Sequence, residues 1–340
     1  MRQNSVRRWL AGALAVLVAT AGLAVVTGTA ATAAPGDNGD DGEGGKKSLI
    51  EQVEDASKGF VEAKEALAKS KKRQAQLVAL LKQVETQLGP RQAALDEIAQ
   101  QSYRTGRLGP MKAVLSAEST GSLLDRAETL ETIAVKQDRA VRDLKESRDT
   151  RLRAKAAVDL EIANQQKQLT AMAKRKAQAE NALKAAGQGQ DTGSPGGSSS
   201  GGSKKAKPGG NLNGGCTVND PTSGGCITPR LLHAMNQAKS AGFDHYVHCW
   251  REQNSGEHPK GRACDFAADK GGFGGDATGS SRTYGNNLAN YFIGNSGTLG
   301  VLYVIWYRRI WLPSSGWKSY SGAGGDPSSD HTNHVHLSVK

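Results

Sequence analysis

From Leu49 onward, apolar residues return at alternating steps of four and three: Leu49, Val53, Ala56, Phe60, Ala63 and Leu67, then Leu77, Leu81, Val84 and Leu88 in the same frame. A repeat of this kind belongs to a helix whose apolar stripe is covered by another helix. Ser70 and Gln74 fall at the weakest point of the frame. The pair Gly89-Pro90 predicts the end of this first helix, which at about 1.5 Å per residue would be about 60 Å long. Residues 91–122, interrupted by Gly106, Gly109 and Pro110, read as short helices at one end of a hairpin. A second long helix is predicted from Leu123 to Ala186, on a weaker, Ala-rich seam through Leu130, Val141, Leu144, Val158, Ile162, Leu169 and Met172. Two long helices with a breaker between them predict a long antiparallel α-helical coiled coil over residues 46–187.

The segments on either side of this stalk have other compositions. Arg2, Arg7 and Arg8 precede an uncharged apolar stretch from Trp9 to Val26, and Ala31-Thr32-Ala33 offers small residues for cleavage. Residues 1–33 therefore read as a signal peptide rather than a retained anchor, and residues 34–45 as a disordered acidic segment. Export argues against nucleic acid as a partner. The net charge of about +8 on residues 46–187, against about +2 on 216–340, would suit anionic wall polymers or lipid headgroups. The plainer reading is the solvated face of a helix. Residues 188–214, rich in Gly and Ser, cannot bury enough apolar surface to fold and read as a flexible linker.

All seven histidines and all four cysteines lie beyond residue 215. Residues 215–340 have the length of one domain with its own core. Thr228-Pro229 followed by Leu231, Leu232, Met235 and Ala238, with Gly242 behind them, predicts a capped helix. Val301 to Leu312 and Val335 to Val339 read as strands, so the domain is a compact α+β one. As a strand, the C-terminal run puts His334, His336 and Ser338 on one face. Upstream, His258 and Asp265 are seven positions apart, and on a strand Asp265 shares its face with Ala263 and Ala267. A histidine and an aspartate from one motif, with a histidine from a distant strand, have the composition of a three-ligand zinc site whose fourth position is open. Such a site suits hydrolysis of a peptide bond. Four cysteines in an exported domain read as two disulfides; three pairings are possible, and the locally adjacent one joins Cys249 to Cys264 and Cys216 to Cys226. The first of these would close a loop around His258 of about 16 residues, worth about 3 kcal/mol in the chain-entropy account.

The string Ser255-x-x-His258-x-x-Gly261-x-Ala263-x-Asp265, with the terminal His334-x-His336, resembles the D-alanyl-D-alanine carboxypeptidase and lysostaphin-like metallopeptidases that cut peptidoglycan peptides. The resemblance covers about residues 245–340. It implies zinc held by His258, Asp265 and His336, with Arg251 contacting substrate. One departure stands out: the carboxypeptidase pattern has a glutamate as general base three residues before the last ligand, and here that residue is Asn333. In lysostaphin-like enzymes the first histidine of His-x-His takes that role, which points to His334, with Asp330 as a weaker candidate. Gln101 to Gly106, Gly109-Pro110-Met111 and Ser122 to Arg126 resemble the coiled-coil regions of secreted wall hydrolases of high-GC Gram-positive bacteria. That resemblance implies a tethering or regulatory stalk and, as a partner, a division-site membrane complex. Together these readings predict a secreted, extracellular, wall-associated protein with peptidoglycan as its partner. It would be either a zinc peptidase or a catalytically inactive wall-binding or hydrolase-activating module of the same fold.

Overall fold

The first helix does not stop at its proline. In the computed structural model, which describes residues 44–106, 109–196, 204–254, 256–320 and 325–340, helix α1 runs from Gly44 to Thr105 with Pro90 inside it. Proline removes one N–H and crowds the residue before it, at a cost of about 3 kcal/mol in an ordinary helix interior. Here that residue is Gly89, which has no Cβ to meet the proline ring, so the crowding is small. The next residue, Arg91, reaches across to the Asp143 carbonyl at 3.0 Å and to the Ser147 hydroxyl, which ties the helix to its neighbour just after the proline. The chain turns instead at Gly106, whose φ of 67° is in the left-handed region open to glycine. Of the short helices expected over 91–122, only α2, Gly109–Leu115, is present among the described residues. The expected signal peptide, 1–33, and the acidic segment up to residue 43 lie outside the described residues; Gly44 and Gly45 open α1.

Helix α3, Thr120–Ala185, starts at a capping box in which Ser119 and Ser122 each accept from the other's backbone N–H at 3.2 Å. It packs antiparallel to α1: Ser70 meets Glu161 at 2.7 Å, Gln74 meets Gln165 at 2.8 Å, and Arg91 meets Ser147. The weak polar point of the α1 frame is thus where cross-helix hydrogen bonds form. The expected α1 stripe is buried at Val53, Ala56, Phe60, Ala63, Leu67 and Val84 and partly buried at Leu77 and Leu81. The expected α3 stripe is not. Leu144 is buried, whereas Val141, Ile162 and Leu169 are about half exposed and small Ala154, Ala179 and Ala182 take the close positions. A single facing helix covers a narrow seam, which small side chains fill more closely than scattered large ones.

Beyond residue 215 the domain has a two-stranded ribbon, β1 (Val218–Asn219) with β2 (Cys226–Ile227), followed by α4, Pro229–Ala241. Thr228 caps α4 by accepting from Leu231 N, and Gly242 at φ 103° ends it, as the sequence pattern requires. The main sheet is antiparallel in the order β3-β4-β8-β5-β6-β7, with β3 Val247–His248, β4 Ala263–Ala267, β5 Val301–Ile305, β6 Arg309–Leu312, β7 Gly316–Ser319 and β8 His334–Val339. Helices α4 and α5 (Gly279–Gly294) cover one face, burying Leu231, Met235, Leu288 and Phe292 against Phe266, Val335 and Leu337. A short α6, Ser296–Leu299, precedes β5.

The single strand expected from Val301 to Leu312 is a hairpin. Tyr307 and Arg308 turn the chain at φ 51° and 60°. Their N–H groups donate to the His331 and Asp330 carbonyls at 2.8 and 3.0 Å, so a distant segment holds a turn that the sequence usually marks with Asn-Gly.

The described part of the segment read as a flexible linker lies along the domain. Gly189 and Thr192 donate to carbonyls of β7, and Ser319 donates back to Gln190. An edge strand offers open backbone groups that a Gly-rich chain can satisfy without side chains.

The base of the helical hairpin is seated on the other sheet face, with which it forms one unit. Val53, Ala56, Val61, Ala182 and Leu183 pack on Leu302, Tyr303, Ile305, Ile310 and Leu312. Within that contact the Glu54 carboxylate accepts from Tyr303 Oη at 2.9 Å and lies 3.5 Å from Lys260 Nζ. Burial, and then the neighbouring Glu257 carboxylate, push Glu54 from 4.5 up to about 7. A carboxyl raised on folding stabilises fully below its unfolded pKa and loses that contribution as pH rises through the folded one. Stability conferred by Glu54 should therefore decline between pH 4.5 and about 8. Thermal unfolding of wild type and Glu54→Gln across that range isolates the effect from the buried histidines, which act in the opposite sense. Parallel curves for the two proteins would refute it.

Candidate metal centre

The site is built on the register of two neighbouring strands. In β4 and β8 Asp265 is directly opposite His336, Ala267 opposite His334 and Ala263 opposite Ser338. Cross-strand partners share a face, so the carboxylate and both imidazoles stand on the face opposite α4 and α5, with only alanines flanking Asp265. His258 comes from the loop before β4. That loop turns at Gly261, where φ is 66° and an added Cβ would lie 2.5 Å from Cys216 Sγ and 2.7 Å from the Cys226 carbonyl. Only glycine fits there, and the turn it makes brings His258 back over Asp265.

His258 Nε2 lies 3.3 Å from His336 Nδ1 and 3.3 Å from Asp265 Oδ2, and His336 Nδ1 lies 2.8 Å from Asp265 Oδ1. All three residues are buried. Bonds of about 2.0–2.1 Å at tetrahedral angles would space donor atoms about 3.3 Å apart. The outer ring nitrogens are also engaged: His258 Nδ1 donates to the Cys249 carbonyl, and His336 Nε2 is 2.8 Å from Ser338 Oγ. With Ser338 accepting, each ring turns a lone pair towards the carboxylate. Acceptors at these spacings require a cation, or in its absence a proton on His336 Nδ1, so the three residues can hold a metal ion.

The electrostatics favour the ligating forms. Burial pushes His336 down to about 4 against the pull of Asp265, leaving it neutral at pH 7. Burial alone would raise Asp265, but His334 and His258 hold it well below the usual carboxylate range. Arg251 donates to Asp265 Oδ2 and, through Nε, to Gln253 at 2.8 Å. The residue expected to face substrate is thus also bound to the central carboxylate, with its side chain 40% exposed.

His334 lies beside the cluster, its Nε2 3.4 Å from Asp265 Oδ1. Its Nδ1 is 2.7 Å from Asn333 Oδ1. The Asn333 amide nitrogen donates to the Gly274 carbonyl at 2.8 Å, which fixes the amide so that its oxygen faces His334. His334 therefore carries its proton on Nδ1 and presents Nε2. Asp330 is engaged by Arg308 at 2.8 Å, and Ser255 lies outside the described residues. Sequence reasoning passed over His331, whose ring centroid is 4.8 Å from that of His334 and which burial holds well below the usual histidine range. A third histidine within six residues was the available signal. It also passed over Tyr303, stacked on His336 at 5.4 Å, for which the sequence carried none.

Both cysteine pairs are bonded as expected, Cys216–Cys226 and Cys249–Cys264. The second ties the end of β3 to β4 and so positions the carbonyl that orients His258. Two disulfides fit a secreted or extracellular protein. Among the described residues no helix is long and apolar enough to cross a membrane.

Replacing His258, Asp265 or His336 with Ala should abolish stoichiometric metal binding by the full chain. Ser338→Ala should lower affinity by about 10–100-fold while sparing stoichiometry. Calorimetric titration of zinc into the metal-stripped protein measures both; full affinity in the His336 variant would exclude this centre.

Compared with known families, residues 223–335 match the one described as the VldE C-terminal domain. No curated protein matches the chain. The likeness to the VldE C-terminal domain spans about a third of the chain and takes in His258, Asp265 and His334, but stops one residue short of His336.

Proposed function

We propose that this chain is a secreted, wall-associated zinc metallopeptidase that cleaves peptidoglycan peptides, carried on a coiled-coil stalk. The observation that carries the reading is the convergence of His258 Nε2, His336 Nδ1 and the Asp265 carboxylate, with each ring's outer nitrogen already engaged. The resemblance of His258-x-x-Gly261-x-Ala263-x-Asp265 and His334-x-His336 to peptidoglycan metallopeptidases supports the substrate class. Zinc held by these three residues would supply Lewis-acid polarisation of the scissile carbonyl and make water a nucleophile at neutral pH. His334, its tautomer set by Asn333, presents Nε2 as the base that takes the proton from the attacking water. Arg251, partly exposed beside Asp265, is placed to hold a substrate carboxylate or carbonyl.

A second reading, a non-catalytic module that binds wall or activates another hydrolase, is favoured by Asn333 in place of a glutamate. It is also favoured by the end of the hairpin remote from the domain, where Tyr103 and Leu115 are 90% and 76% exposed and Met111 and Leu124 are exposed as well. Exposed apolar groups there suit a partner such as a division-site membrane complex.

The full chain loaded with zinc should release muropeptides from purified peptidoglycan. His334→Ala should lose at least about 100-fold in turnover and keep its zinc, whereas His336→Ala should lose both. Zinc bound and wall bound, with no muropeptide released by wild type, would decide for the second reading.

A further inference from the structure

We propose that the middle of the helical hairpin is a docking surface for a linear phosphodiester polymer of the polyol-phosphate kind, independent of the peptidase reading. The charge of the stalk is segregated. Residues 64–82 and 153–176 together carry twelve lysines and arginines against three acids. Residues 83–152, from the same two helices and their connection, carry eleven against eleven. Essentially all of the stalk's net positive charge therefore lies in one band. The balanced half shows that these helices are solvated without such an excess, so solvation does not account for it.

Only the antiparallel register makes one band of two runs that are distant in sequence. At its centre Gln74 meets Gln165 at 2.8 Å and Arg73 meets Glu161 at 3.2 Å, and at its outer end Glu85 meets Arg151 at 3.4 Å. At about 1.5 Å per residue the band is about 30 Å long. It begins within a turn of Val61, which is seated on the sheet. Two of its three acids are already committed, Glu65 to Lys340 and the buried Glu161 to Ser70 and Arg73. Lys64, Lys71, Lys72, Lys155, Lys167 and Lys174 are exposed and make no ion pair among the described residues. Like charges held together oppose the folded state, and a polyanion relieves that repulsion while releasing its own counterions.

Composition and placement identify the occupant. Nine of the band's twelve cations are lysine, against three of eleven in the balanced half. Lysine is a point charge that suits phosphate, whereas the planar fork of arginine matches a carboxylate. Nucleotides would be held in part by stacking their bases on aromatic side chains, and residues 61–185 hold no aromatic residue but Tyr103, outside the band. Lys64 and Lys71 directly follow the seam residues Ala63 and Ser70, whereas Lys69 and Arg73 directly precede Ser70 and Gln74. The charge thus lies on both sides of the seam. A flexible chain can follow such a belt, and a flat bilayer meets only one side of it.

The test is calorimetric titration of the full chain with three probes matched in charge: poly(glycerol phosphate), polygalacturonate, and vesicles of equal parts phosphatidylglycerol and phosphatidylcholine. Wild type should bind poly(glycerol phosphate) most tightly, with affinity that falls steeply between about 50 and about 200 mM salt. The triple variant Lys71→Gln, Lys72→Gln, Lys155→Gln should bind it about tenfold or more weakly at low salt and with a flatter salt dependence. Glutamine is as good a helix former as lysine, so helix content and thermal unfolding should be retained. The triple variant Lys136→Gln, Arg139→Gln, Lys145→Gln removes the same charge from the balanced half and should bind as wild type does. Equal losses in the two variants would reduce the effect to net charge and overturn the proposal. So would binding indifferent to salt, or polygalacturonate or vesicles bound as tightly through the same lysines. A chain that binds the polymer through the band but releases no muropeptides keeps this surface and loses only the peptidase reading.

Discussion

The pairing of Asp265 with His336 across β4 and β8 is the constraint on which the rest of the site depends. Asp265 is 3% exposed, and an ionised carboxylate that far from water must be surrounded by donors or cations to be tolerated. Here Arg251 donates to Oδ2, and a cation held with His258 and His336, or a proton on His336 Nδ1, would satisfy Oδ1. Because side chains alternate with a period of two, a slip of one residue would put Leu337 opposite Asp265 and turn both histidines into the helix-side core. The apolar contacts of Cys264, Phe266, Val335 and Leu337 against α4 and α5 therefore hold the polar face in register.

The sheet face that carries Asp265 is divided. Its β5–β7 part is covered by the base of the hairpin, and its β3–β4–β8 part carries the candidate metal centre. Tyr303 lies between them, stacked on His336 and donating to Glu54 of α1. A change in how α1 sits is thus one residue removed from a candidate ligand. The basic loop residues Lys260 and Arg262, which lie between His258 and Asp265 in sequence, reach the buried carboxylates Glu54 and Glu257. The contact between hairpin and domain and the candidate metal centre therefore share one electrostatic network.

On the proposed reading, Asn333 replaces a base with a positioning group. An amide cannot take a proton at neutral pH, but it can accept from His334 Nδ1 and donate to the Gly274 carbonyl at once, which a carboxylate cannot do. The substitution moves basicity from position 333 to position 334 and ties the orientation of His334 to the loop carrying Gly274.

The sequence by itself determined the elements whose cause is local. The four-and-three frame of α1 set its buried stripe, Thr228-Pro229 and Gly242 bounded α4, and alternation in the last strand put His334, His336 and Ser338 together. The spacing of the cysteines matched both disulfides, since each pair is near in sequence and loop closure is short. Tertiary structure decided the rest, because the deciding contacts come from residues far apart in the chain. Pro90 stays helical because α3 supports Arg91. Tyr307 and Arg308 turn because residues 330 and 331 accept their N–H groups, and the Gly-rich segment after α3 follows the domain because β7 offers an open edge. Likewise, which nitrogen of each histidine faces inward was set by a carbonyl, a hydroxyl and an amide. Those partners are recognisable only once the strands are paired.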